Sequence, residues 1–354
     1  MSTIPDQTAP IEDVSPGLLP TTKHTLLALG EAVARVGALA AMFIFFGVLI
    51  PNGAFFSAGN IENILMQSAV YVMAGLGMTM VIITGGIDLA AGSVIALSMV
   101  VTALVLNADG GSHLRENPTG WTVLAVVAGT AAATAIGLLQ GLLITGLRLV
   151  PFIITLGGLV AIRGMTKIIA DNQEISPPTS NWLYQKLMFP VQGQTFSWQL
   201  FPLGVWGTIV AVVFAALFLR YTKLGRRIYA VGSNESTARL CGVPVQRTKI
   251  IVYGLSGLFA GLAGVLEFSK LNMGQPTGAM MYELYVIAAC VIGGTSLLGG
   301  IGGVFGTVIG ALIIGTLNVG TQQAGWEKAK QEVAIGLIII VAVALDQLRN
   351  RVRD

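Results

Sequence analysis

Apolar residues fall in long blocks along this chain, and polar residues collect between the blocks. Blocks long enough to cross a lipid bilayer lie at 32–50, 61–84, 89–106, 121–147, 150–169, 201–219, 250–268, 284–298, 302–319 and 332–348. At a helical rise of roughly 1.5 Å per residue, each is about long enough to span with modest tilt, although several are short or interrupted by glycine. The pattern predicts an all-α polytopic membrane protein with about ten transmembrane helices. It divides into an N-terminal tail and lead-in at 1–31, a transmembrane domain at 32–348 and a C-terminal tail at 349–354.

Charge in the connecting segments sets the orientation. Residues 220–249 carry Arg220, Lys223, Arg226, Arg227, Arg239, Arg247 and Lys249 against one acid, Glu235, and the C-terminus adds Arg349, Arg351 and Arg353. The 170–200 segment has only Lys186 against Asp171 and Glu174. Lysine and arginine concentrate in cytoplasmic loops, so 220–249 and both termini are expected inside and 170–200 outside. An even number of spans gives the same assignment. The first 22 residues, rich in Pro, Thr and acid, lack the basic start and immediate apolar core of a cleaved signal peptide and are expected to be a disordered tail.

Composition narrows the function classes. The chain of 354 residues is 54% hydrophobic and 10% charged, more apolar surface than one soluble core of this size can bury. A net charge of +3 is too small to point to nucleic acid. Cys241 stands in a basic loop and Cys290 in an apolar block, so a disulfide is not expected, and their spacing matches no metal site. His24 and His113 stand alone near span ends, which argues against histidine-based catalysis or zinc binding. The 45 glycines concentrate in the spans, where small residues let helix backbones approach. TGGIDLAAGS (84–93) and the run from Ile292 share a GG-x-x-L-x-x-G pattern that hints at an internal repeat.

Few polar residues interrupt the blocks. Asp88 reads first as an N-cap for the third span, with Gly85 and Gly86 making the turn before it. The alternative is a place on a polar pathway between broken helices. Arg163, in the fifth span, is expected to snorkel or to pair with an acid, with Glu267 of the seventh span the candidate; Glu267 could equally pair with Lys270 at i,i+3. The aromatics Trp182, Tyr184, Phe189, Phe196 and Trp198 fit an interfacial belt outside.

The polar stretch GSNESTARLCGVP (232–244) is punctuated as a short helix. Ser233 or Asn234 suits the N-cap, Glu235 the first turn, Gly242 the left-handed position past the end, and Pro244 prevents continuation. About two turns are too few to be stable alone, so this helix must pack on its own chain or on a cytoplasmic partner.

Here the sequence resembles a known family. GRRIYAVGSNESTARLCGV followed by KIIVYGLSGLFAGLAG is similar to the cytoplasmic coupling region of ABC importer permeases of the ribose/xylose/arabinose type. The similarity continues through GMTMVIITGGIDLAAGS, PFIITLGGLVAIRG, QPTGAMMYELYVIAACVIGGTSLLGG and IGTLNVG. Tyr285 departs from it, since family members usually carry an acid there, and no ligand preference is carried over to that span. The resemblance implies a permease fold in a bacterial cytoplasmic membrane, paired as a dimer that is expected to be of identical chains. It also implies two cytoplasmic ABC ATPase domains that bind ATP and Mg, and a soluble sugar-binding protein outside. Coupling to the ATPase would fall on Ser233, Asn234, Glu235, Ser236, Thr237, Ala238, Arg239, Leu240 and Gly242, and Asp88, Gly85 and Gly86 are the pathway or gating candidates. The chain contains no G-x-x-x-x-G-K-[ST] phosphate loop, so the ATPase must be another chain. A secondary transporter or channel would call for more intramembrane titratable groups, and a membrane enzyme for a nucleophile and base; neither pattern is found in the sequence.

Overall fold

The computed structural model describes residues 21–177, 187–188 and 201–353. Among them every regular element is a helix: α1 (Thr21–Leu49), α2 (Ala58–Ile83), α3 (Ala91–Leu106), α4 (Ser112–Glu116), α5 (Pro118–Leu147), α6 (Pro151–Ile169), α7 (Leu203–Tyr221), α8 (Lys223–Ser233), α9 (Glu235–Leu240), α10 (Val245–Leu271), α11 (Tyr282–Ile292), α12 (Val304–Gln323) and α13 (Lys328–Arg353). Six of these, α2, α5, α6, α7, α10 and α12, are long and apolar enough to cross a membrane, and α3, α11 and the Val33–Leu49 part of α1 are shorter apolar helices. Helix α1 already starts at Thr21; the rest of the expected tail, and the aromatics of the 170–200 segment, lie outside the described residues.

Two blocks differ from their sequence reading. The 284–298 block is helical only to Ile292, where Gly294 at φ +84 ends α11 and a loop follows to Gly303. The 89–106 block starts its helix at Ala91, because 84–90 is non-helical, with turns on either side of 86–88.

The burial of each helix follows its neighbours. Helix α2 is apolar all round and 94% of its most hydrophobic window is buried, since α7, α10, α11 and α12 surround it. Helices α5 and α6 expose most of their apolar residues, as lipid-facing helices do. Helix α10 packs along α2, α3 and α5, and glycines let it come close to α5: a Cβ at Gly257 would strike the Ala133 carbonyl.

Helices α2 and α11 run side by side. Tyr282 meets Tyr71 edge-on at 5.0 Å between ring centroids, so α11 begins about halfway along α2 and is a half-length helix. The segment 272–281 leading to it descends beside α3, with Gly274 against Met99 and Ala103 and the Ala279 carbonyl against Gly92.

Candidate functional site: the short surface helix and the broken segments beneath it

Helix α9 forms where the sequence punctuation puts it. Asn234 is the N-cap, its side chain accepting the Thr237 N–H at 2.9 Å. At the other end the Val243 N–H reaches the Ala238 carbonyl and the Gly242 N–H the Arg239 carbonyl, both at 3.0 Å, with Gly242 at φ +77. This is a Schellman closure, which needs a left-handed residue at the position Gly242 occupies. Ala238 packs inward on Val231 and Val245, the anchorage that so short a helix needs. Ser236, Thr237, Arg239 and Leu240 face outward, and Leu240 is 88% exposed.

Glu235 bonds Lys249 at 2.7 Å and Arg239 at 3.1 Å, tying α9 to the start of α10. The hydrogen bond from the Lys249 ammonium, helped by the charges of Lys249 and Arg239, holds the Glu235 carboxyl below its ordinary value despite partial burial. A depressed carboxyl stabilises fully above the unfolded value and loses that contribution as pH falls through the folded one. Amide protection factors over 237–240 should therefore fall on acidification below about pH 4. In Lys249→Met they should be lower at neutral pH and lose most of that acid dependence.

Gly232, just before α9, joins this helix to the bundle. A Cβ there would fall inside the Ile83 carbonyl oxygen at the end of α2, and the same oxygen accepts the Gly300 N–H at 2.9 Å. Gly299 lies between the Gly232 carbonyl and the Gly85 backbone, and the Tyr229 hydroxyl donates to the Gly302 carbonyl at 3.0 Å. One backbone junction thus connects α8, the α2–α3 turn and the α11–α12 loop. Gly232→Ala should lower the melting temperature of the purified protein more than Gly242→Ala. The first forces backbone apart, whereas the second meets no atom and costs about 1–2 kcal/mol of left-handed strain.

The two loops at this junction share their turns. Helix α2 closes with Gly85 N–H to Ile82 O and Gly86 N–H to Val81 O, and α11 closes with Gly294 N–H to Val291 O and Thr295 N–H to Cys290 O. Two residues after Gly86 the Asp88 carboxylate accepts the Ala90 N–H, and one residue after Thr295 the Ser296 hydroxyl accepts the Leu298 N–H. In the shared GG-x-x-L-x-x-G pattern the Asp88 and Ser296 turns coincide, whereas the helix closure falls one residue later in the second copy, at Gly294 rather than Gly293.

Asp88 is 2% exposed. It is not the N-cap residue of α3, a position held by Ala90, because Leu89 and Ala90 form a turn between it and the first helical residue. One oxygen still serves a backbone donor, the Ala90 N–H at 3.0 Å, and the other accepts the Ser256 hydroxyl at 2.8 Å. Ser256 backs onto Gly77, so Asp88 lies well inside the end of α2. The carbonyl of Ile87 accepts from Thr155 at 3.2 Å and Tyr253 at 3.3 Å, binding the segment to α6 and α10.

Arg163 and Glu267 do not meet. The Arg163 guanidinium donates to the carbonyls of Pro276 and Gly278 at 3.1 and 2.5 Å, because α6 faces the non-helical 272–281 segment. Glu267 instead pairs with Lys270 at 2.8 Å and accepts the Tyr282 hydroxyl at 3.0 Å, while Lys270 also reaches Gln67 at 2.7 Å. The segment clamped by Arg163 holds Ala279 at φ +53 and Met281 at φ +68, left-handed conformations that cost non-glycine residues and gather at functional segments. Sequence reasoning missed Ser256, Tyr253, Met281 and the Gln67–Tyr282 network. The acid Glu283 at the start of an apolar block was the one local signal of a helix beginning inside the bundle.

Comparison with known proteins bears on this arrangement. A family model described as the permease component of the branched-chain amino acid transport system matches residues 60–343. The ribose import permease protein RbsC of Escherichia coli K12 is 38% identical over 321 residues, 88% of this chain and 92% of the relative. RbsC of Bacillus subtilis is 38% identical over 332 residues, 93% and 98% of the two chains. The L-arabinose transport system permease protein AraH of Escherichia coli K12 is 35% identical over 314 residues, 89% and 90%. No solved structure matches. Matched by the family model over most of its length, and by relatives above one-third identity across nearly all of it, the chain belongs to the ABC importer permease family that includes the ribose and arabinose permeases.

Proposed function

We propose that this chain is the transmembrane subunit of an ATP-driven importer that carries a monosaccharide, a ribose-type pentose or a related sugar, across a bacterial inner membrane. It crosses about ten times with both termini in the cytoplasm, as the basic 220–249 segment and C-terminus favour. A separate ABC ATPase binds ATP and Mg and docks on α9. An external sugar-binding protein delivers the cargo, and a second copy of the permease completes the pathway.

The observation that carries this reading is the junction at Gly232. A capped surface helix with outward-facing Ser236, Arg239 and Leu240 follows directly on Gly232 and Ser233, the end of α8, whose backbone touches both broken segments of the bundle. An ATPase that holds α9 differently in its two nucleotide states would bias the positions of those segments, which is the differential contact that coupling requires. The test is uptake of ribose and arabinose into vesicles holding permease, ATPase and binding protein. ATP-dependent uptake of one of these sugars is expected. Uptake driven by an ion gradient and indifferent to ATP would replace this reading with a secondary transporter.

A further inference from the structure

Beneath α9 lies a cleft of about 360 Å³, within the range of roughly 300–1,000 Å³ typical of small-molecule sites. Its polar walls are Thr84 at the end of α2, Ser233 at the end of α8, Asn234 and Glu235 at the start of α9, and Lys249 and Tyr253 of α10. The glycines of the α2–α3 turn and Gly232 bring bare backbone to its surface, and Pro151 and Val231 complete it with an apolar patch.

The chemistry of the walls selects the ligand. Glu235 and Lys249 neutralise each other across 2.7 Å, which leaves no net charge to hold an ion. Three hydroxyls and an amide stand around them. The Asn234 oxygen serves the helix cap, so the cap bond leaves its NH₂ group for a ligand. Lys249 gives one of its three donors to Glu235, and the Thr84 and Tyr253 hydroxyls, each donating to a carbonyl, keep acceptor capacity. Donors and acceptors gathered in one cleft without net charge suit a neutral ligand dense in hydroxyl groups.

We propose that this cleft is an exit-side sugar site, which binds the transported polyol from the cytoplasm and resists movement of α9 while occupied. The proposal rests on the function and orientation proposed above. Asn234 and Glu235 of the lining belong to α9 and its cap, whereas Thr84 and Tyr253 belong to the end of α2 and to α10 within the bundle. A sugar bridging Asn234 or Glu235 to Thr84 or Tyr253 opposes any displacement of α9 that ATP binding drives. By linkage, the nucleotide state that displaces α9 must weaken sugar binding by the same factor. Accumulated product thereby slows its own import.

The test uses the permease–ATPase complex in lipid nanodiscs, which leave both faces open, with D-ribose as probe and leucine as the control of similar size but different chemistry. Basal ATP hydrolysis should fall several-fold as ribose rises to about 100 mM, well above a millimolar Kd, while leucine has no effect. Saturation-transfer NMR should show contact between ribose and the permease, and trapping the nucleotide-bound state should diminish it. Thr84→Val, which keeps side-chain shape and lies outside α9, should raise the half-inhibitory concentration by about tenfold through loss of hydrogen bonding. The proposal fails if ribose neither inhibits nor gives saturation transfer, if leucine inhibits equally, or if Thr84→Val leaves the inhibition curve unmoved. Any of these alongside ATP-dependent uptake with the binding protein leaves the proposed function standing. Absence of ATP-dependent uptake for every sugar tried removes both.

Discussion

Replacing residues 234–241 by a flexible Gly/Ser linker should abolish ATP-driven sugar uptake while leaving the helical bundle inserted and assembled. Insertion depends on the apolar helices, none of which the replacement touches. What disappears is a six-residue helix that exists because Asn234 and Gly242 close its ends and Ala238 anchors it on Val231 and Val245. Without those contacts two turns are far below the length at which a helix persists in water. An interface this small depends on a few central residues, so Leu240→Ala alone should weaken ATPase association by about tenfold. The measurements are co-purification of the ATPase, hydrolysis stimulated by the loaded binding protein, and uptake into vesicles, with membrane insertion as the control. Normal uptake by the linker variant would exclude α9 as the coupling element and leave it an ornament of the 220–249 segment.

The features legible in the sequence were local ones. Caps, the left-handed glycine and the two-turn length of α9 are written in adjacent residues, and the structure forms them as written. Apolar blocks identified where helices lie, since burial in protein and exposure to lipid both demand apolar side chains. The same fact hid where α11 stops. Leu297 and Leu298 continue the hydropathy past Gly293 and Gly294, and an apolar count cannot register a backbone break. Pairing across helices was equally hidden. Glu267 could choose between Lys270, three residues away, and Arg163, more than a hundred away, and only the direction each helix faces decides between them. The non-helical stretch around Asp88 was misread by two residues for a related reason. Its conformation is imposed by Ser256, Tyr253 and Thr155 from two other helices, and nothing in TGGIDLA names those partners.

Those partners make Asp88 the position where a single substitution should have the largest effect on the bundle itself. Asp88→Ala leaves the Ala90 N–H and the Ser256 hydroxyl without their acceptor in a site that is 2% exposed. Each unsatisfied buried group costs about 1–3 kcal/mol, a large part of the margin by which a folded protein is stable. The Ala variant should therefore show a clear loss of thermal stability in detergent and poor recovery from membranes. Asp88→Asn is expected to behave differently. Its amide oxygen can accept the Ala90 N–H, and its NH₂ group can donate to the Ser256 oxygen, since a hydroxyl serves as either partner. Both bonds survive the loss of charge, so Asp88→Asn should fold, assemble and transport at close to the wild-type rate. Melting temperature and initial uptake rate, measured on the same preparations, separate the two roles the residue could have. An Asn variant that melts normally yet fails to transport would overturn the structural role and give the carboxylate charge a part in gating.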